Sequence, residues 1–497
     1  MRFLFSALLT CALVWPLSAQ QTEDLATLRE RLAKQEKQIE ELRDVLAAQQ
    51  KLLDTLSQKP AAAQPATAQK ITPAPQPSTE TKPLTAEVAP LTLKVGGFVD
   101  LTSVYRSGNL GSGIGTAFSS IPFENTQAAQ ISEARLSTQN SRVSLKLNAK
   151  FGKQVLNGYL ESDFLGNAPG GHNVTSHSST MRLRLYWAQI LRDKWEFLGG
   201  QSWSMLTPNR VGISPVPSDI FYTQNVDTNY QAGLVWTRAP QFRAVYHANK
   251  NWTAGISLEN PEQYVGTGVV LPSFASSQYD NGSLPGIPNT HPDIIGKVAY
   301  DGAAGSRPVH IEAAGLFRTF RSLNPSGSAS AARGYSGSLN ANFEVAKNVR
   351  FVVSSLYGRS AGRYIFGLAP DAVVSPTGTV SPVRSASGVA GLEVKLGANS
   401  ALYGYYGGVY IWRNFFQTAP DQYVGYGFPG APTAANRTIQ EATGGYTYTF
   451  WKNPSYGSLQ LMTQYSYVTR SPWAVPAGSP RNAHMHMVFA NLRYALP

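Results

Sequence analysis

The pattern of apolar and polar residues divides the chain into two parts with different periods. Between residues 21 and 59, apolar residues recur every three and four positions over five heptads, as in a coiled-coil helix. The apolar seam positions are Leu25, Leu28, Leu32, Ile39, Leu42, Leu46, Leu53 and Leu56. The pattern predicts a coiled-coil helix over 20–59 that joins several copies of the chain. We favour a trimer, but the seam is compatible with other oligomer numbers. A single amphipathic helix packed on a neighbouring surface is the alternative.

From Leu93 to the end, the period changes to two. In the segment 142–151, apolar residues at odd positions alternate with polar or basic residues at even positions, as in a strand with one apolar and one polar face. The same alternation recurs in 391–397 and 458–467. In 181–187 it predicts two faces of one strand. One face carries Met181, Leu183, Leu185 and Trp187, and the other carries Arg182, Arg184 and Tyr186. A water-soluble β-sandwich would show the same alternation.

Three features favour a membrane barrel over a sandwich. Aromatic residues concentrate toward strand ends, as interfacial girdles require: Tyr357, Tyr364, Phe366, Tyr403 to Tyr410, Trp412, Tyr446, Tyr448, Phe450 and Trp451. Tight turns alternate with long stretches rich in Gly, Ser and Pro near 107–130, 265–292, 322–334, 370–385 and 417–437. About 400 residues, at about 25 per strand and connection, predict an all-β transmembrane barrel of about 16 antiparallel strands over 93–497.

The segments before the barrel have compositions of their own. Arg2, the apolar stretch that follows it and the small residues ending at Ala19 predict a signal peptide over 1–19. Residues 60–92 contain no aromatic residue and a proline every few positions, which indicates an extended, weakly ordered linker. The predicted order of segments along the chain is therefore signal peptide, coiled coil, linker and barrel.

Composition and charge narrow the possible functions. Charged residues are only 14% of the chain, whereas Gly (44), Tyr (24) and Phe (21) are plentiful, which suits strands and turns. The only cysteine, Cys11, lies in the predicted signal peptide, so we expect no disulfide in the mature chain. The net charge is +12 and residues 21–59 are nearly balanced, so the excess belongs to the barrel. Basic residues scattered singly along strands of an exported chain argue against nucleic acid and favour a charged lumen.

The polar face of the early strands carries the candidate site. We expect five basic residues to line the pore and bind anions, because guanidinium groups bind carboxylate and phosphate through paired hydrogen bonds: Arg135, Arg142, Lys146, Arg182 and Arg184. Glu161 and Asp163 are the acidic candidates, and basic residues facing acids across the lumen would set a transverse field. Simple solvation of a polar lumen, or pairing of these charges with each other, is the alternative.

The sequence predicts no catalytic, metal or cofactor site. Glu161 and Asp163 are two apart on one strand and so do not straddle a substrate bond. His484 and His486 share a strand face without a nearby carboxylate, which does not make a metal site. No nucleophile elbow, P-loop or zinc-protease motif appears, so we expect no enzyme.

The order of these segments and several of the predicted strands resemble a known family. Signal peptide, coiled coil, linker and the first strand VGGFVDLTSVY (95–105) occur in an order that resembles the DcaP-like trimeric porins of Gram-negative outer membranes, with the phosphate-selective porin superfamily as a related possibility. The stretch ISEARLSTQNSRVSLKL (131–147) and the segments YLESDFLG, MRLRLYWAQI and FLGGQSWSMLTP, within 159–208, resemble early strands of that family. The resemblance implies a trimeric 16-stranded channel with a basic constriction that prefers small anions such as dicarboxylates. It favours Arg135, Arg142, Arg182 and Arg184 as lumen arginines.

These observations together predict an outer-membrane porin for passive diffusion of small hydrophilic solutes, preferentially anionic carboxylates. Its expected surroundings are outer-membrane lipid and lipopolysaccharide, with the coiled coil in the periplasm and further copies of the chain as partners. A phosphate-selective porin, which needs a ladder of lysines and arginines along the pore, is one alternative. A non-conducting structural tether between membrane and cell wall is another.

Overall fold

A computed structural model describes residues 85–88, 91–166, 177, 179–216, 226–282, 287 and 289–497. All of them belong to the unit that runs from Glu80 to Pro497. The predicted signal peptide and coiled coil lie outside these described residues. So does the predicted linker, except for its last residues, where Thr85–Val88 forms a short strand paired with the next one.

The strands are numbered in chain order. The first eleven are β1 Thr85–Val88, β2 Leu91–Arg106, β3 Glu133–Ser137, β4 Arg142–Phe151, β5 Gln154–Asp163, β6 Arg182–Arg192, β7 Trp195–Trp203, β8 Arg238–His247, β9 Trp252–Glu259, β10 Asp293–Ala304 and β11 Arg307–Leu323. The other eleven are β12 Ala329–Ala346, β13 Val349–Arg359, β14 Ala372–Val374, β15 Val380–Pro382, β16 Arg384–Lys395, β17 Ser400–Ile411, β18 Asn414–Ala419, β19 Gln422–Tyr426, β20 Asn436–Asn453, β21 Gly457–Pro472 and β22 Ala483–Ala495.

Within the described residues, sixteen of these strands close an antiparallel barrel. Each strand pairs with the next barrel strand along the chain, and β2 closes the cylinder by pairing with β22 and β4. The strand β3 pairs with the other half of β2, so β3 and β4 together follow it along its length. β14 and β15 form a separate hairpin, as do β18 and β19. The predicted barrel of about 16 antiparallel strands is therefore confirmed.

The two ends of the barrel differ in their connections. At one end, short turns join seven strand pairs, such as the turn between Phe151 and Gln154. At the other end, most connections are long. The described helical turns belong to these long connections and are Phe118–Ser120, Gln127–Gln130, Ser273–Ala275 and Gly362–Tyr364. None of the helices in the described part of the chain is long and apolar enough to cross a membrane.

Alternation along the strands separates an apolar outer face from a polar interior. Phe242, for example, is 74% exposed on the outside, whereas its neighbours Gln241 and Arg243 are buried inside. The alternation predicted for 142–151 and 458–467 agrees with the observed faces. In such a wall one residue in two meets lipid and the other meets the lumen.

The alternation predicted for 181–187 is wrong after Arg184. Glu161 and Ser162 of β5 pair with Leu185 and Leu183, so Arg184 is an extra residue in a β-bulge. A bulge reverses the faces of all the residues that follow it. Leu185 and Trp187 are therefore buried, and Tyr186 is 60% exposed on the outer face.

Two further expectations need correction. Four aromatic residues assigned to the membrane girdles, Tyr364, Phe366, Tyr403 and Tyr405, are buried or half-buried in the apolar clusters instead. The stretch 322–334 is not a long loop, because β11 and β12 run through it and pair from Leu323 to Ala329. Its small polar residues are compatible with exposed strand ends, and the Asn324 side chain accepts the Ser328 amide to close a five-residue turn.

Candidate functional site: an arginine wall and an inward loop

The connection between β7 and β8, residues 204–237, folds into the barrel. We call it the inward loop; the structure describes its first leg, 204–216, and its second leg, 226–237. Leu206, Val226, Ala232 and Leu234 on these legs are buried. Both legs also bond to interior side chains of the strands, so the loop occupies part of the lumen.

Four wall carboxylates hold the loop by accepting its backbone N–H groups. We call these the carboxylate wall: Glu259 on β9, Asp301 on β10, Glu312 on β11 and Glu441 on β20. On the first leg, the amides of Met205, Asn209 and Gly212 donate to Glu259, Glu312 and Asp301 at 2.8, 3.2 and 3.0 Å. On the second leg, the Ala232 amide donates to Glu441 at 2.8 Å. Each leg is therefore held by side-chain acceptors on the strands: the first leg by three of them and the second by Glu441.

The second leg also lies directly on strand backbone. An added Cβ at Gly233 would collide with backbone atoms of Gly388 on β16 and Gly408 on β17. One at Gly407 would collide with the Ala232 carbonyl oxygen. Gly233 has a φ of 91°, which side chains rarely adopt. Glycine is therefore needed where the loop meets this side of the barrel.

Another part of the interior carries guanidinium groups. We call it the arginine wall: Arg493 on β22, Arg142 on β4, Arg182 and Arg184 on β6, and Arg238 at the start of β8. The Phe98 ring of β2 links two of them, with the guanidinium carbons of Arg493 and Arg142 lying 4.0 and 5.2 Å from its centroid. The positive groups therefore follow neighbouring strands around one side of the lumen.

Three carboxylates lie among these arginines. Asp163 accepts Arg182 at 2.8 Å and Arg184 at 2.7 Å, and Glu161 accepts Arg184 at 2.6 Å. On the other side of Phe98, Asp100 accepts Arg493. Five guanidinium groups against three carboxylates leave the arginine wall with a positive excess.

The inward loop brings one phenol to the arginine wall. The Tyr230 hydroxyl oxygen accepts Nη2 of Arg184 at 3.3 Å and Nη2 of Arg142 at 3.4 Å. Burial alone would raise the pKa of Tyr230, but the charges of Arg142 and Arg184 lower it below the ordinary value for a phenol. The Tyr230 hydroxyl group therefore lies in a strongly positive environment, where the loop meets the arginines.

Two guanidinium nitrogens at this place have no hydrogen-bond partner among the described residues. They are Nε of Arg142 and Nη1 of Arg238, and both are buried. The guanidinium of Arg238 lies 5.5 Å from the Trp203 ring centroid. Buried donors without an acceptor are costly unless water or an anion binds them. The arginine wall can therefore accept a further negative group.

The fold matches that of a solved outer-membrane protein. The crystal structure of the outer-membrane channel DcaP of Acinetobacter baumannii aligns with a TM-score of 0.59 at 16% identity, over 82% of this chain and 98% of that one. The chain has the fold of this channel. No protein-family model matches the sequence, and no curated protein matches it.

Two other solved structures are similar at lower scores. An anion-selective porin from Comamonas acidovorans aligns with a TM-score of 0.48 at 13% identity, over 82% of this chain and 99% of that one. Salmonella typhi OmpF in complex with daunomycin aligns with a TM-score of 0.45 at 10% identity, over 83% and 99%.

The structure brings together five of the seven predicted site residues. Arg142, Arg182, Arg184, Glu161 and Asp163 form one group, with the two acids between the arginines and not across the lumen from them. The expected transverse field between these named residues is therefore wrong.

The other two predicted residues lie apart from the group. Arg135 on β3 is 40% exposed and pairs with Glu133. Lys146 on β4 is exposed, and its neighbour across the strands is Lys94. Among the described residues, no group of three or more His, Cys, Asp or Glu could hold a metal ion. The Nδ1 atom of His486, one of the two histidines that share a strand face, lies 2.7 Å from the Tyr465 hydroxyl.

Sequence reasoning missed Arg238, Arg493 and Tyr230. Arg493 alternates with Leu492 and Tyr494 in the last strand, so strand phase alone could have found it. Arg238 starts its strand where phase is hard to assign. Tyr230 lies on a loop whose inward fold depends on distant strands, and its local sequence carries no signal for that.

Proposed function

We propose that this protein is an outer-membrane channel for passive diffusion of small hydrophilic solutes, with a preference for anions that bear carboxylates. One observation carries the proposal: inside a closed sixteen-stranded barrel, five guanidinium groups line one side of the lumen against three carboxylates. A ring of one charge attracts solutes of the other and raises their local concentration. The fold shared with the DcaP channel supports the same conclusion.

The arrangement favours selection of solutes by their charge over any chemical reaction with them. Arg184 and Asp163 are held in fixed positions by direct bonds between neighbouring strands, so the local field does not depend on mobile side chains. A guanidinium binds a carboxylate through two parallel hydrogen bonds. Small carboxylates that pass the arginine wall would therefore be favoured over cations of similar size.

We further propose that the channel lies in the outer membrane, among lipid and lipopolysaccharide, and assembles as a trimer through the heptads of 20–59 in the periplasm. The apolar outer face of the barrel supports the membrane location, since the exposed residues include Phe242, Tyr406 and Leu492. The regular seam from Leu25 to Leu56 supports association of several chains.

Reversal potentials in a planar bilayer under a salt gradient test the proposed selectivity. The wild-type channel should favour chloride over potassium. The double variant Arg142→Ala, Arg238→Ala should lose at least about half of that preference, because neither arginine pairs with a carboxylate among the described residues and no acid is left stranded. The matched control is Arg192→Ala with Lys452→Ala, which removes the same charge from exposed positions near the short turns. A wild-type channel without anion preference would refute the proposal.

A further inference from the structure

The hydroxyl of Tyr230 occupies a position suited to an oxyanion. Two guanidinium groups on different strands direct their Nη2 atoms to it, at 3.3 Å from Arg184 and 3.4 Å from Arg142. Those distances are long for a charged donor, since bonds between guanidinium and carboxylate are usually 2.7–2.9 Å. Arg184 itself reaches Glu161 at 2.6 Å and Asp163 at 2.7 Å. The phenol is thus a weak acceptor where a carboxylate would be a strong one.

The backbone at Tyr230 holds the phenol there under strain. Its φ of 66° lies in the left-handed region, which is unfavourable for a bulky side chain and often marks a functional position. The turn is fixed by Asp227, whose carbonyl accepts the Tyr230 amide at 3.1 Å and whose carboxylate accepts the Asn229 amide at 2.8 Å. The Trp236 ring packs edge-on against the phenol at 4.6 Å. The turn closed by Asp227 and the packing of Trp236 therefore hold the phenol in this position.

Further donors adjoin the same position. Within the described residues, Nε of Arg142 and Nη1 of Arg238 are buried without an acceptor. A carboxylate has two oxygens and about four acceptor positions, whereas a phenol offers one oxygen. One solute carboxylate could therefore satisfy donors that Tyr230 leaves unused.

We propose that the space between Arg142 and Arg184 is a binding site for a solute carboxylate, and that the Tyr230 hydroxyl is a stand-in ligand which the solute displaces as it passes. This assignment rests on the proposed anion-preferring channel and identifies its specificity-determining residue. In the empty channel, the Tyr230 hydroxyl oxygen accepts hydrogen bonds from both guanidinium groups. It thereby lowers the affinity for the solute enough for release.

The test measures how strongly succinate, used as the probe, blocks the chloride current through single channels in a planar bilayer. In Tyr230→Phe the competing hydroxyl is gone and the ring remains. The dissociation constant for succinate should fall about fivefold, the factor that corresponds to one hydrogen bond. Tyr230→Ala removes the ring as well, and should bind succinate more tightly and also conduct more.

Tyr426→Phe is the matched control, because it deletes a buried phenol hydroxyl that donates to the Asn436 carbonyl, away from the arginines. It should leave succinate block unchanged. The folded state of each variant is checked by the resistance of its barrel to dodecyl sulfate before heating. An unchanged or higher dissociation constant in folded Tyr230→Phe, together with an anion-selective wild type, would overturn the role of Tyr230 alone. A wild type without anion preference would instead overturn the proposed function.

Discussion

On the arginine wall, charged side chains pair with carboxylates of neighbouring strands, and two buried guanidinium nitrogens have no acceptor among the described residues. On the carboxylate wall, charged side chains bind the backbone of the inward loop. Arg184 illustrates the first case, with Glu161 and Asp163 on the next strand. Glu441 illustrates the second, with the Ala232 amide as its partner. Both residues face inward on barrel strands. What differs is what they bind: Arg184 binds carboxylates of the neighbouring strand, whereas Glu441 binds the loop backbone.

The difference follows from what each charge can bind. A carboxylate only accepts hydrogen bonds, and a loop that enters a barrel brings backbone N–H groups without strand partners. An arginine only donates, so it suits acceptors supplied by acids or by a passing anion. Acids can therefore anchor a loop, and arginines next to it can bind solutes. The inward loop joins the two walls, because its second leg bonds to Glu441 and presents Tyr230 to Arg142.

Removing an anchoring acid should cause the largest effect. Glu312 is fully buried and accepts Nζ of the equally buried Lys297 at 2.9 Å. In Glu312→Ala that ammonium group loses its carboxylate partner and keeps only the neutral oxygens of Thr207 and Asn209, so the free energy of unfolding should fall by about 3–5 kcal/mol. Urea unfolding of the protein in detergent micelles, followed by circular dichroism, measures the change.

The matched change on the arginine wall is Glu161→Ala. Its partner Arg184 keeps the bond to Asp163 at 2.7 Å, so the loss should be well under half of that for Glu312→Ala. Equal losses in the two variants would show that the two walls do not differ in the way proposed here.

A smaller effect is expected from loosening the second leg. Glu441→Ala deletes the acceptor of the Ala232 amide, which costs about 1–3 kcal/mol for a buried donor. The leg should then leave its position part of the time, and the single-channel current should be larger and noisier. Gln440→Ala is the control, since Gln440 is the exposed neighbour of Glu441 on the same strand. A current identical to the wild type in Glu441→Ala would mean that glycine packing alone holds the leg.

Strand phase made much of this fold predictable. Period two in 142–151 gave the correct faces of β4, and with them the inward direction of Arg142 and Lys146. The same rule fails at Arg184, because a bulge depends on the pairing between β5 and β6 and leaves no local signal. One extra residue is enough to turn Tyr186 to the lipid side and Trp187 to the interior.

The position of the inward loop could not be predicted from its local sequence. Its second leg contains Tyr230, Leu234 and Trp236, whose apolar character is equally compatible with a strand. What places it in the lumen is distant: Glu441, Gly388 and Gly408 lie more than 150 residues further along the chain. Four of the five wall arginines were predictable as lumen residues from strand phase, whereas Arg238 and Tyr230 required the tertiary structure.

Changing the ionic strength should distinguish the contributions of buried and exposed charges to anion preference. We expect this effect to be smaller than those of Glu312→Ala and Glu441→Ala. Lys146 is exposed and lies across from Lys94, so salt screens it, whereas Arg142 is half-buried against Phe98. The screening length falls from about 10 Å at 0.1 M salt to about 3 Å at 1 M. Lys146→Ala should lower the chloride preference by less than about twofold at 0.1 M and hardly at all at 1 M. Arg142→Ala should lower it at both, as measured by reversal potentials at a fixed salt ratio. If Lys146→Ala acts equally at both concentrations, Lys146 contacts the permeating anion directly and belongs to the arginine wall in function.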